Sequence, residues 1–234
     1  MMAFLLSIDC TGQNCSSALL EKDYVGAAES LPLARGHASH IVPQVARVVS
    51  AAGISMARID HIVTPIGPGS FTGLRVGLAA ARGLGLALDI PVSGVRVGDV
   101  LLDQMAARET PLTWQLAVLD GKRAEPFVQF RNPETADVSA PFTATKIALQ
   151  QHLAKAFGRP LQLAGNGSEK LLPLLAAAGF TDVSIITNEL PDAASIGLWA
   201  WQRFQRGQAF WPPTPLYVRP PDVSQSTKPA GLAP

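Results

Sequence analysis

The segment Gly67-Pro68-Gly69-Ser70-Phe71-Thr72-Gly73 combines residue types that could hold a phosphate. An apolar run, His61 to Ile66, precedes it as a predicted strand, and a predicted helix runs from it to about Leu88, where Pro91 bars continuation. Glycines let a backbone approach a ligand closely, and a helix N-terminus offers free N–H groups to an anion. Gly67, Gly69, Ser70, Thr72 and Gly73 are therefore candidate phosphate or nucleotide contacts. The loop is not a Walker A motif, since no Gly-Lys-Ser/Thr follows, nor a Gly-x-Gly-x-x-Gly turn. The same residues also make a tight strand-to-helix turn with Ser70 or Thr72 as N-cap and no ligand. The residues alone leave both readings open.

Other chemistry-bearing residues are sparse. His37 and His40 lie three apart at a predicted helix start, without the third ligand a metal needs, and His61 and His152 have no acidic or cysteine neighbours that suggest a metal site. No Gly-x-Ser-x-Gly, His-Glu-x-x-His or paired-carboxylate cluster is present, so the expectation is no catalytic residue and no metal. Trp199, Trp201 and Trp211 are spaced as packing aromatics. Cys10 and Cys15 are too few for a disulfide framework and are expected as reduced thiols.

Charge and composition narrow the function classes. The 234 residues carry 19 Lys and Arg against 18 Asp and Glu, which excludes a massed basic clamp for nucleic acid. A hydrophobic content of 47% with only 16% charged residues excludes wholesale disorder. The start, Met1 to Asp9, lacks a cationic region and is expected to be a buried strand rather than a signal peptide. No run approaches 18 uncharged apolar residues, so a cytoplasmic protein without membrane contact is expected.

Positioning these residues requires an alternating α/β chain that opens with a hairpin. Strands are predicted over Phe4–Ile8 and Ser16–Leu20, and a helix over His37–Ala52. That helix tolerates Pro43 only in its first turn. Further strands are predicted over Ile90–Val95, Gln115–Leu119, Phe127–Phe130, Gln162–Ala164 and Ser184–Ile186. Helices are predicted over Thr145–Ala156, Glu169–Ala178 and Ala193–Arg206. The expected division is an N-terminal lobe over 1–107, a C-terminal lobe over 108–222 and a disordered tail over 223–234. In the helix after the loop, Gly73, Gly77, Ala81 and Gly85 recur every four residues and place a small stripe on one face. Such a face admits a close backbone, either that of the chain's own sheet or that of a partner's helix.

Two resemblances sharpen this. Asp9 and Thr11, with Ser16-Ser17, resemble the phosphate-facing hairpin of the actin–sugar kinase–Hsp70 fold, although an Asp at a strand end is commonly a turn-former. Ile8-Asp9-Cys10-Thr11, His37 with Ile41-Val42-Pro43, Gly67 to Gly77, Gly83 to Ala87 and Pro215 to Asp222 together resemble the TsaB (YeaZ) family. That resemblance implies an α/β, actin-like ATPase fold of two lobes, each a mixed sheet with helices. It implies a non-catalytic subunit in the formation of threonylcarbamoyladenosine (t6A) beside the tRNA anticodon. The implied partners are the transferase TsaD, as a heterodimer, and the ATPase TsaE. It implies a homodimer when the chain is alone, tRNA contact only through the complex, and ATP or ADP only at the partner interface, with no cofactor of its own. The implied partner face comprises His37, Ile41, Val45 and Val48 with Gly73, Gly77, Ala81 and Gly85. The sequence departs from the family at Ala38-Ser39 and at Asp120 to Phe127. The competing classes are a stand-alone actin-fold ATPase or kinase and a glycoprotease-like peptidase.

Overall fold

A computed structural model describes residues 3–33, 35–107 and 113–219. The first sheet contains β1 (Phe4–Asp9), β2 (Asn14–Glu21), β3 (Tyr24–Pro32), β4 (His61–Gly67) and β5 (Val92–Arg96), in the order β3-β2-β1-β4-β5. β1, β2 and β3 form an antiparallel meander, and β4 and β5 add in parallel. β1 and β4 are buried along their whole length, which is why both read as nearly continuous apolar runs. β3 is the exposed edge, and its Gly26-Ala27-Ala28 centre hides it from any search for β-branched residues.

The second sheet repeats this plan. β6 (Trp114–Leu119), β7 (Phe127–Arg131), β8 (Phe142–Thr143), β9 (Leu161–Ala164) and β10 (Val183–Thr187) are ordered β10-β9-β6-β7-β8. Again three strands form an antiparallel meander and two add in parallel. Two mixed sheets of one topology, each carrying helices, are the two lobes of an actin-like fold.

The helices are α1 (His37–Ala51), α2 (Phe71–Leu88), α3 (Val97–Ala106), α4 (Lys146–His152), α5 (Ser168–Ala178) and α6 (Ala193–Gln205). α1 and α2 cover one face of the first sheet, where Ile41, Val45, Val48 and Val49 pack with Leu6, Ile8 and Ile62. α4 and α5 cover the second sheet in the same way, with Leu149, Leu171 and Leu175 against Leu116 and Val118. Pro43 lies beyond the first turn of α1, contrary to expectation. Its ring faces solvent on the side away from the packed face, and that packing holds the helix across the missing hydrogen bond.

The opposite faces are covered by an exchange. α3, which follows the last strand of the first sheet, packs Leu101, Leu102 and Met105 against Ala117, Leu119 and Phe127 of the second. α6, which follows the last strand of the second sheet, packs Ile196, Trp199 and Ala200 against Leu5, Ala18 and Leu20 of the first. Gly197 permits this approach, since a Cβ there would run into the Leu20 side chain. The segment after α6 runs along the first lobe as far as Leu216: Gly94 N donates to Trp211 O at 2.7 Å, and Leu216 N donates to Ile66 O at 2.8 Å. Packing thus crosses the expected boundary between 1–107 and 108–222 in both directions. Most of α3 packs with the second core, although its Val100 joins the first. α6 and the segment to Leu216 pack with the first, while Val218 and Arg219 return to Leu119, Glu125 and Phe127 of the second. The predicted boundary residues 108–112 and the 223–234 tail lie outside the described residues.

The small stripe on α2 meets the chain's own sheet. A Cβ on Gly73 would fall on the Cys10 carbonyl, and one on Gly85 would fall on the Val92 side chain. Ala81 is fully buried, and Gly77 lies over Thr64 and Cys10. Ile41, Val45 and Val48 are also buried, so Val45 and Val48 cannot present a surface to a partner. The periodicity was satisfied internally because strand ends, like helices, admit close approach only where side chains are absent. By length and mean hydropathy, 18 residues and 1.2, α2 would qualify as a membrane span, but Arg75 and Arg82 interrupt it and its small face is buried on the sheet.

These contacts separate two substitutions one turn apart. Gly77→Ala places its methyl 3.4 Å from Thr64 Oγ1, near ordinary contact, and gains helix propensity, so stability should stay within about 1 kcal/mol of wild type. Gly73→Ala must displace backbone and should cost about 3 kcal/mol or more. Denaturant unfolding of both variants checks this; equal midpoints would contradict the close seating of α2.

Candidate functional site

The candidate residues gather at the end of β1. Asp9 is 5% exposed, and its Oδ1 accepts the Thr11 backbone N–H at 2.7 Å and the Thr11 hydroxyl at 2.6 Å. Gly69 packs against Thr11, and Ser70 N donates to Thr11 O at 3.3 Å. Ser70 Oγ accepts the Gly73 N–H at 3.3 Å, so Ser70 is the N-cap of α2. Gly67 takes the left-handed conformation, φ +110°, where a side chain would be strained and would press on Leu216 O. Asp9, Thr11, Gly67, Gly69, Ser70 and Gly73 therefore form one knot of hairpin and loop, while Thr72 stands exposed on its rim. His37 begins α1 at the far end of that helix's packed face, half-buried, with Nε2 unpaired.

The second lobe builds the same device from different residues. Asp120 follows directly on β6, and its Oδ1 accepts the Lys122 N–H at 2.8 Å, two residues on, as Asp9 accepts Thr11. Gly165-Asn166-Gly167-Ser168 joins β9 to α5, with Gly165 at φ +114° matching Gly67. Asn166 Oδ1 accepts the Asp120 N–H at 2.9 Å, tying this loop to its hairpin. Sequence offers Gly165-Asn166-Gly167-Ser168 as the second lobe's candidate Gly-rich loop, and the backbone shows that it repeats the loop of the first lobe.

Electrostatics distinguish the two aspartates. Burial pushes the Asp9 carboxyl up to about 6, against the two hydrogen bonds from Thr11, and the charge of Asp192 adds to the rise. Burial also acts on Asp120. There the hydrogen bond and charge of Lys170, with the Lys122 N–H, outweigh it and hold the carboxyl below its ordinary range. The Lys170 ammonium lies 2.7 Å from Asp120 Oδ1.

Three cavities surround this knot. One of about 520 Å³ opens beside Asp9, between Ser16 and Asn14 on one lobe and Asn166, Asn188 and Asp192 on the other. A second, about 490 Å³, lies between Ser70 and Phe71 and the cations Lys122, Arg123 and Arg219. A third is a groove of about 440 Å³ on the outer side of α1 and α2, lined by Ala38, Val42, Phe71, Val76 and Ala80, with Ile41 at its floor. Val42 and Phe71 are 49% and 43% exposed there. The Arg75 guanidinium lies 3.7 Å over the Phe71 ring and donates from Nε to the Tyr217 hydroxyl at 3.1 Å, which braces the rim. Of the predicted interface residues only Ile41 lines this groove, and its exposed apolar lining was missed. The signal was the pair Val42 and Phe71, apolar residues off the packed faces of their helices. Among the described residues no group of three or more His, Cys, Asp or Glu is placed to hold a metal.

The family model for TsaD, tRNA N6-adenosine threonylcarbamoyltransferase, matches residues 32–198, well over half of the chain. The chain belongs to this family. Its relatives place it on the TsaB (YeaZ) branch. The tRNA threonylcarbamoyladenosine biosynthesis protein TsaB of Escherichia coli is 35% identical over 121 residues, 52% of this chain and 52% of that protein. TsaB of Bacillus subtilis is 34% identical over 91 residues, 39% of this chain and 40% of that one. The matches thus span about half the length of these curated relatives or less. A Pseudomonas aeruginosa protein described as similar to peptidase YeaZ has a solved structure that superposes with a TM-score of 0.72 at 25% identity. That superposition covers 93% of this chain and all of that one.

Asp9 offers a pH test of the knot. Its folded value, about 6, exceeds the ordinary 3.8, so the folded state binds more protons in between and stability falls as pH rises through that window. Asp9→Asn keeps the acceptor for Thr11 and removes the buried charge. It should raise the melting temperature by several degrees at pH 7.5, equivalent to at most about 3 kcal/mol, and leave it unchanged near pH 4. A variant that melts lower than wild type at pH 7.5 would contradict this.

Proposed function

We propose that this chain is a non-catalytic subunit in the formation of threonylcarbamoyladenosine in tRNA, acting as the scaffold and activator of a TsaD-type transferase. The observation that carries the reading is the apolar groove on α1 and α2, open to solvent around Val42 and Phe71 and rimmed by Arg75. A groove of this kind suits a helix laid across it, anchored by apolar side chains. Membership of the TsaB branch supports TsaD as the occupant in the working complex and a second copy of this chain when TsaD is absent. TsaE joins the pair as the ATPase, and ATP or ADP binds only where the subunits meet. tRNA is held through the complex, in keeping with the balanced charge of 19 cations and 18 anions. The complex works in the cytoplasm. The hairpin and Gly-rich loop serve mainly to seat α2, since Ser70 and Thr11 satisfy the loop from within.

The groove makes the proposal testable without disturbing the core. Val42→Asp puts a carboxylate on an exposed position and should leave the melting temperature within about 2 °C of wild type. It should weaken binding to TsaD at least tenfold, since a charge buried in an apolar contact goes uncompensated. Titration of TsaD with wild type and variant, by calorimetry, measures this. Unchanged affinity in a folded variant would move the interface elsewhere and overturn the assignment.

A further inference from the structure

Cys10 and Cys15 flank the tip of the first hairpin. The antiparallel register of β1 and β2 ends at Asp9 opposite Ser16, and its continuation by one step sets Cys10 against Cys15. Both side chains lie on the face covered by α1 and α2, and the two Sγ atoms are 3.9 Å apart. Directly opposed antiparallel residues have Cα atoms about 4.5–5.5 Å apart, within the roughly 4.4–6.8 Å that a disulfide spans. Covalent closure therefore needs side-chain rotation and a small movement of the tip, not a change of register.

We propose that Cys10 and Cys15 form a reversible intramolecular dithiol–disulfide couple whose state is felt by both helices that cover the hairpin. Each cysteine supports one of those helices. The Cys10 carbonyl and Cβ are the surface on which Gly73 and Gly77 of α2 rest. Cys15 Sγ donates to Gln44 Oε1 of α1 at 3.6 Å, and the buried Gln44 amide returns a hydrogen bond to Cys15 O at 3.0 Å. Drawing the sulfurs into a bond shifts both supports together.

A hydroperoxide is the oxidant class that fits, being small enough to pass a parted hairpin tip. One thiol loses its proton, and its sulfur attacks the O–O bond of hydrogen peroxide, giving a sulfenic acid and one water. The second thiol's sulfur then displaces the hydroxyl from the sulfenic sulfur, closing S–S and releasing a second water. A small dithiol restores both thiols by exchange. In the closed hairpin burial pushes both thiols up, so they stay protonated and inert. Reaction follows parting of the tip at Gln13 and Asn14, which face solvent.

Native full-length chain, freed of reductant and exposed to millimolar hydrogen peroxide, should lose about 2 Da from one internal bond. After denaturation, the tryptic peptide ending at Lys22, which holds both cysteines, should resist alkylation at both, and dithiothreitol should restore alkylation. Amide exchange in the first turns of α1 and α2 should change several-fold in the oxidised form. The couple is overturned if both thiols still alkylate fully, or if the products are sulfinic acids or dimers linked between chains. Its influence on the helices is overturned if the disulfide forms and exchange in both stays the same. Cys10→Ser serves as the mass control and should show no loss of 2 Da.

Discussion

The fold hangs on how closely α2 lies on the end of β1. With no side chain at Gly73, the first turn of the helix settles directly on the Cys10 carbonyl, and Gly77 continues the contact one turn later. That proximity fixes the loop from Gly67 to Ser70 against Thr11, and it sets where Ser70 must stand to cap the helix. It also sets the spacing between α1 and α2, hence the width of the groove above them. Each interior glycine costs roughly 1 kcal/mol of helix propensity, offset here by burial of the apolar flanks Leu74 and Leu78 in the adjoining core.

A second constraint joins the lobes. Asp103 of α3 accepts the Trp199 indole N–H of α6 at 2.7 Å and pairs with Arg131 of β7, while Asp99 pairs with Arg96 of β5 and accepts from Gln129 of β7. Two acids on one helix thus collect partners from both sheets. Charged hydrogen bonds of this kind are stronger than neutral ones, and each is costly to break when one partner stays buried. Around them, Arg203 stacks on Trp199 and Trp211, closing the seam where the segment after α6 returns along the first lobe.

What could be read in advance followed the strength of local patterning. β1, β2, α1, β4 and α2 carry apolar runs or helical periodicity of their own, and their predicted ends fall within about two residues of the observed ones. β3 escaped because small residues form an edge strand only when a neighbour supplies the hydrogen bonds. α3 escaped because it starts directly from β5, with Arg96 as an N-cap whose side chain does not cap the helix. The candidate loop was legible as a whole, since Gly, Ser and Thr announce a capped turn. Whose surface the stripe on α2 would meet was not, because periodicity records that a face is packed and carries no trace of the partner. Nor could the destination of α6 be read, since its Trp199 and Trp201 suit any apolar surface.

The exchange of α3 and α6 has a consequence for how the chain is made. A ribosome delivers the five strands of the first sheet well before it delivers α6, which starts at Ala193. Until then Leu5, Ala18 and Leu20 have no cover, and the first lobe cannot complete its core by itself. The second lobe, by contrast, has α3 in hand before its own strands emerge. The part synthesised first is therefore the part finished last, and contacts as distant as Ser16 with Ala193, 177 residues apart, close the structure. Such long-range closure slows folding and lengthens the interval in which an apolar sheet face is bare on the nascent chain.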